Sequence, residues 1–173
     1  DRHASGPDGV SAGRSAPLGV SLTAAGANFS VYARDAGRVE LCLFDRADAA
    51  QPERVIPMAS DSHHIHQYWH AEVEGIGPGQ VYGYRVEGPA QPQPGDRFDP
   101  ANLLLDPYGL ALSMPADYRR GTGGRCCQGG WESAMKSVVA DLDRFDWEGD
   151  RPLQRPWRET GIYDCLLYTS DAA

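Results

Sequence analysis

No stretch of this sequence is long and apolar enough to span a membrane. Its longest aliphatic runs are LCLF at 41–44 and LLL at 103–105, against the roughly 20 residues that a spanning helix needs. No basic start followed by an apolar stretch marks a secretory leader. Basic residues are in short supply, with 16 Lys and Arg against 24 Asp and Glu and a net charge of −8. Phosphate backbones repel such a chain, and no basic stripe with interleaved aromatics offsets the repulsion, so neither nucleic acid nor membrane is expected as a partner. Cysteine is sparse as well: Cys42, Cys126, Cys127 and Cys165 include no pair at the two-residue spacing of a zinc knuckle or redox motif. Free thiols in the cytoplasm are the simplest reading. The loop GTGGRCCQGG (121–130) has glycines but no Lys-Ser/Thr ending, so it is not a phosphate loop. No cofactor is expected.

Turn formers, by contrast, are plentiful. Twenty Gly and thirteen Pro lie between apolar runs in a chain that is 41% hydrophobic, which favours a turn-rich all-β domain. ANFSVYA (27–33) alternates Phe29, Val31 and Ala33 with Ser30 and Tyr32. VELCLFD (39–45) alternates Val39, Leu41 and Leu43 with Glu40 and Cys42. Joined by RDAG, the two read as a β-hairpin. ERVIPM (53–58) is a weaker strand that Pro57 places at an edge or an end. HQYWHAEVEG (66–75) and VYGYRVEG (81–88), joined by IGPGQ, read as a second hairpin. Five short strands at roughly ten-residue spacing predict an antiparallel sandwich. NLLLDPYGLAL (102–112) is expected to pack against it as an irregular or short helical segment. Residues 119–130 are expected as a loop, Ser137 to Ala140 as one further short strand, and the rest as a Trp- and Pro-rich connector.

An ordered set of short segments then carries a resemblance. PLG (17–19), ANFSVYA, VELCLF, YWH (68–70), the PG of GPGQ, YGYRVEGP (82–89), GDRFDPANLLLDPYG (95–109), KSVVAD (136–141), FDW (145–147), RPW (155–157) and ETGIY (159–163) resemble the N-terminal portion of bacterial glycogen debranching enzymes and isoamylases, from about Gly13 to Tyr163. The resemblance implies an all-β, immunoglobulin-like early-set antiparallel sandwich of the glycogen-binding type with an irregular C-terminal connector. The expected organisation is a flexible lead-in at 1–16, the sandwich at 17–113, and a loop, final strand and connector at 114–164 that leads toward a (β/α)₈ barrel of about 250 residues. Residues 165–173 (CLLYTSDAA) continue no preceding pattern and are expected to be a non-native tail. The barrel of that family hydrolyses α-1,6 branch linkages in glycogen or amylopectin with a carboxylate nucleophile and a general acid. Both would lie beyond this chain, so no catalytic residue is expected in it. The partners so implied are α-glucan and, by intramolecular packing, the barrel. An independent glucan-binding module, or the module of a related branching or trehalose-forming enzyme, is the alternative.

The residues that could touch sugar are Trp69, Tyr84 and Arg85. Aromatic faces stack on glucose rings, and modules of this type use exposed Trp against helical glucan. Yet Tyr82 and Tyr84 share a strand face with Val86, while Val81, Gly83 and Arg85 share the other, and Trp69 runs in phase with Ala71 and Val73. Such alternation points to core. His64, His66 and His70 would share a strand face, but without a fourth ligand a metal is not expected. The Asp-Pro pairs in DRFDP and LLLDPY read as turn initiators, each Asp side chain accepting backbone N–H groups.

Overall fold

The computed structural model describes residues 9–60, 67–89, 98–116, 118 and 131–161. It divides into two units, Asp1–Asp141 and Leu142–Ala173. The first is built of β1 (Val10–Ser11), β2 (Gly19–Leu22), β3 (Gly26–Tyr32), β4 (Arg38–Phe44), β5 (Arg54–Pro57), β6 (Ala59–Ser60), β7 (Tyr68–Glu74), β8 (Val81–Glu87), β9 (Ala111–Ser113) and β10 (Lys136–Val138). One sheet runs β1-β7-β3-β2, with β6 also pairing on β7, and the other runs β5-β4-β8-β10-β9. Every pairing is antiparallel. The all-β sandwich expected from the sequence is what forms.

Period-2 alternation explains where the core lies. Ala27, Phe29 and Val31 of β3, with Ala71 and Val73 of β7, face Val39, Leu41 and Leu43 of β4 and Tyr82, Tyr84 and Val86 of β8 in one buried cluster. Tyr82 stacks edge-on against Phe29 (centroids 5.2 Å apart) and against Tyr84 (6.0 Å). Burying each such side chain contributes about 1.5–3 kcal/mol. The outer face of the second sheet is buried too. Cys42, Phe44 and Val81 are covered there by Leu103, with Trp131 and Ala134 packed alongside. Gly83 makes this possible, because a Cβ at that position would stand 2.9 Å from Leu103.

Both expected hairpins are corrected. β3 and β4 lie in different sheets, as do β7 and β8, so RDAG and IGPGQ are arches that carry the chain from one sheet to the other. β3 pairs with β7 from Gly26↔Glu74 to Tyr32↔Tyr68, and β4 pairs with β8 from Arg38↔Glu87 to Phe44↔Val81. Two alternating strands flanking a short Gly-containing turn fit a hairpin and an arch equally well. Both strands here need an inner face, and the arch places those faces opposite each other.

The lead-in differs from its expectation over its second half. Val10 and Ser11 pair with Val73 and Glu72. Asn28 then clasps Arg14 through both its backbone groups: the Arg14 N–H donates to Asn28 Oδ1 at 2.7 Å, and Asn28 Nδ2 donates to the Arg14 carbonyl at 3.0 Å. Ser30 Oγ donates to the Ser15 carbonyl at 2.7 Å. The short strand expected at Ser137 to Ala140 forms as β10, one to two residues earlier, and joins the second sheet with Ser137 paired to Tyr82.

The second unit has 3₁₀ turns at Leu142–Arg144 and Trp157–Glu159, neither with a buried residue. Phe145 and Trp147 stack edge-on at 4.8 Å.

Candidate functional site

The pairing of β2 with β3 reaches only to Gly19↔Ser30, so Val31, Tyr32 and Ala33 run on past that neighbour. In the facing sheet, β10 pairs with β8 only at Val81 and Tyr82. Leu104 takes over there: its N–H donates to the Tyr84 carbonyl, and the Tyr84 N–H donates to the Leu104 carbonyl, both at 2.8 Å. Leu104 thereby forms an isolated bridge to β8, and a pocket of about 590 Å³ opens between residues 98–107, the end of β3, and Tyr84 and Val86 of β8. Two Asp-Pro turns hold this segment, as the sequence predicts. Asp99 Oδ1 accepts the Ala101 N–H at 3.0 Å, and Asp106 Oδ1 accepts the Tyr108 N–H at 2.8 Å.

Asp106 anchors the segment from beneath. Its Oδ2 accepts the Tyr82 hydroxyl at 2.8 Å, and its N–H donates to Ser137 Oγ at 3.0 Å. Burial raises the carboxyl above its ordinary range, partly offset by the Tyr108 N–H and the Tyr82 hydroxyl. Tyr84 lacks such support. Its side chain is 1% exposed, its hydroxyl has no hydrogen-bond partner, and burial followed by the nearby Asp106 charge raises its pKa well above the usual phenol value. An unpaired buried hydroxyl costs about 1–3 kcal/mol.

The three candidate sugar contacts do not converge. Tyr84 lines the pocket. Trp69 packs half-buried against the core, and its indole N–H donates to the carbonyl of Ala33, itself a pocket residue, at 3.3 Å. Arg85 points to the outer face, where its Nε donates to Glu40 Oε2 at 2.5 Å and Arg38 pairs with Glu40 Oε1 at 2.6 Å. Tyr32 and the 98–102 segment of the pocket wall escaped sequence reasoning. Tyr32 is 44% exposed and tilts against Tyr68 with centroids 5.4 Å apart. The signal for the segment was the turn in FDPAN, which fixes the chain without saying what it covers.

His70 is buried, with Nδ1 2.5 Å from the Ala12 carbonyl, while His64 and His66 lie outside the described residues. No group of metal ligands occurs among the described residues. Cys42 is a free, buried thiol whose pKa burial pushes up to about 11, which leaves it protonated and unreactive. Cys126, Cys127 and Cys165 are outside the described residues. Lys136 is fully buried. Its Nζ donates to the carbonyls of Ala47 and Trp131 at 2.6 Å and lies 4.9 Å from the centre of the Phe44 ring. Burial lowers its pKa.

A second surface feature stands apart from the pocket. Strand β9 is the margin of its sheet, and Leu110, Leu112 and Met114 in and beside it are 63%, 55% and 66% exposed. Sheet margins in soluble proteins are normally blunted by charge or proline. GLALSM (109–114) has neither. Among the described residues no helix is long and apolar enough to cross a membrane.

Residues 17–109 match the family model of carbohydrate-binding module 48, described as the isoamylase N-terminal domain. The chain is 42% identical over 167 residues to a glycogen debranching enzyme of Klebsiella pneumoniae strain 342, a match covering 90% of this chain and 23% of that protein. It is 34% identical over 161 residues to a chloroplastic isoamylase 1 of Oryza sativa subsp. japonica, covering 91% and 20%. It therefore spans less than a quarter of the length of these relatives. Among solved structures, a Klebsiella pneumoniae pullulanase complexed with maltotriose superposes with a TM-score of 0.52 at 25% identity, over 73% of this chain and 10% of that one. A pullulanase from Bacillus acidopullulyticus superposes at 0.54 and 20% identity, over 78% and 13%, a likeness of fold alone.

Proposed function

The chain belongs to the carbohydrate-binding module 48 family, the isoamylase N-terminal domains, and from that premise we propose that it is the non-catalytic module of a longer, cytoplasmic enzyme that hydrolyses α-1,6 branch linkages in glycogen or amylopectin. The observation that carries the reading is the family match over residues 17–109, reinforced by relatives whose printed names are glycogen debranching enzyme and isoamylase. The module has two tasks. It holds α-glucan at the pocket walled by Tyr84, with Trp69 fixing the neighbouring Ala33 backbone. It also braces the catalytic part through apolar surface. Leu110, Leu112 and Met114 support the second task, since a bare aliphatic margin in water is an aggregation hazard unless something covers it. Arg85 acts through its ion pairs with Glu40 rather than on sugar.

Two measurements test the reading. Incubated with glycogen, the chain releases no reducing ends and is retarded in a glycogen-containing native gel; debranching by the chain alone, or unchanged mobility, overturns it. When the chain replaces the matching part of the Klebsiella enzyme, Leu112→Asp lowers the chimera's thermal midpoint while leaving that of the isolated chain nearly unchanged. A free glucan-binding module, which the pocket alone would favour, predicts no such difference.

A further inference from the structure

We propose that Tyr32 and Asp99 read the glucan at this pocket, the ring by stacking on a glucose unit and the carboxylate by accepting its hydroxyls, and that the carboxylate makes the site select neutral glucan over phosphorylated glucan. This inference rests on the α-glucan reading above and adds the contacting residues and the class of glucan they accept.

The first observation is where accessible aromatic surface lies. Tyr84 closes the back of the pocket at 1% exposure, and its hydroxyl is sealed from solvent, so it shapes the cavity without offering a polar contact. Tyr32 lines the same pocket at 44% exposure, which puts its ring at the mouth. Half-buried Tyr68 lies directly opposite it on β7, tilted at 59° with centroids 5.4 Å apart. That neighbour restricts the Tyr32 ring, and a ring already restrained gives up little freedom when a sugar stacks on it.

The second is the polar chemistry of the wall. Tyrosines apart, Asp99 and Asn102 are the polar side chains among the described lining residues. Asp99 is exposed and held in place: Oδ1 accepts the Ala101 N–H at 3.0 Å, and Oδ2 accepts from Asn102 Nδ2 at 3.2 Å. Each carboxylate oxygen keeps capacity for a second donor. A fixed acceptor in one pocket with an accessible aromatic ring suits glucose, which presents apolar C–H faces and a rim of hydroxyl donors.

The third is charge. Among the described residues that line the pocket, Asp99 alone is charged, and neither Lys nor Arg is present. Phosphate is recognised by Arg and Lys, whereas a phosphate set against a carboxylate is repelled. One group therefore attracts the hydroxyls of a neutral sugar and penalises its phosphorylated counterpart, and selectivity is the difference between the two.

The experiment is calorimetric titration of the whole chain, at about 0.1 M salt, with glycogen, with maltotriose, and with maltotriose phosphorylated at O6 of its middle glucose. Glycogen and maltotriose are expected to bind, and the phosphorylated sugar to bind at least about fivefold more weakly than maltotriose. Asp99→Asn keeps an acceptor for the Ala101 N–H. It is expected to weaken maltotriose about tenfold, the worth of a hydrogen bond to a charged group, and to bring the two trisaccharides within about twofold of each other. Tyr32→Ala is expected to weaken both by about fivefold and Tyr32→Phe to restore them, with thermal midpoints separating lost contact from lost fold. Equal binding of the two trisaccharides by the parent, or a gap that Asp99→Asn leaves in place, overturns the proposal and leaves the glucan reading standing. So does maltotriose affinity unchanged in Tyr32→Ala, or binding of glycogen without maltotriose. No binding of glycogen or maltotriose removes the glucan reading along with it.

Discussion

The two units of this chain use similar side chains to opposite ends. Between Ala27 and Val139, Phe, Leu, Val and Tyr alternate along strands and bury against a facing sheet. From Leu142 onward, Phe145, Trp147, Leu153 and Trp157 are all exposed, the last two at 81%. Apolar content therefore does not make a core. A core needs a second layer at the right spacing, and strands whose period matches it. The sequence DWEGDRPLQRPW has large apolar residues without a period and prolines where a ladder would need N–H groups, so it presents no continuous face to bury.

Core truncation is the strongest test of this contrast. Leu41→Ala is expected to cost about 2–5 kcal/mol and Phe29→Ala about 3–5 kcal/mol in chemical denaturation, whereas Trp157→Ala should stay within about 0.5 kcal/mol. A comparable cost at Trp157 would show that the second unit has a packed core of its own and would erase the difference. Next in size is Tyr82→Phe, which keeps the ring but strips Asp106 of a donor. About 1–3 kcal/mol should be lost at neutral pH, marking how far the sandwich depends on the anchored 98–107 segment.

The same variant sharpens the contrast through pH. Asp106 has a raised carboxyl pKa in the folded chain, so its contribution to stability is fully present below its unfolded value and is lost as pH rises through the folded value. The Tyr82 hydroxyl opposes that rise. Removing it lifts the folded pKa further, and the variant loses more than the parent as the carboxyl ionises. The penalty of Tyr82→Phe should therefore be smaller near pH 3 and grow by about 1 kcal/mol toward pH 7. Trp157→Ala should show no such slope, and a flat penalty for Tyr82→Phe would mean that Asp106 is not the group responsible.

Much of the sandwich was legible because alternation is a local signal. β3, β4, β5, β7 and β8 lie within a residue or two of where the pattern of Phe29, Leu41, Ile56, Val73 and Tyr82 puts them. β1, β2, β6 and β9 were not legible: two to four residues carry too few periods, and they are fixed by pairing with distant strands. The two arches were misread because a turn's residues do not state which sheet the next strand joins. The pocket was out of reach for the same reason, being assembled from Val31–Ala33, Tyr84 and residues 98–107. The buried outer face was hidden too. Glu40 and Cys42 alternate with the residues of β4 that face the other sheet, yet both are buried, one by ion pairs with Arg38 and Arg85 and the other beside Leu103. One part of the site was available in advance: the phase of VYGYRVE already put Arg85 opposite Tyr84.

The arches also bear on how the chain comes together as it is made. The long ladders of β3 with β7 and of β4 with β8 each join segments separated by dozens of residues. Until Glu74 has left the ribosome only local pieces such as β2–β3 and β4–β5 can close, and until Glu87 has followed the second sheet lacks its central strand. Each long ladder therefore waits for a later strand, and each carries its own loop-closure entropy.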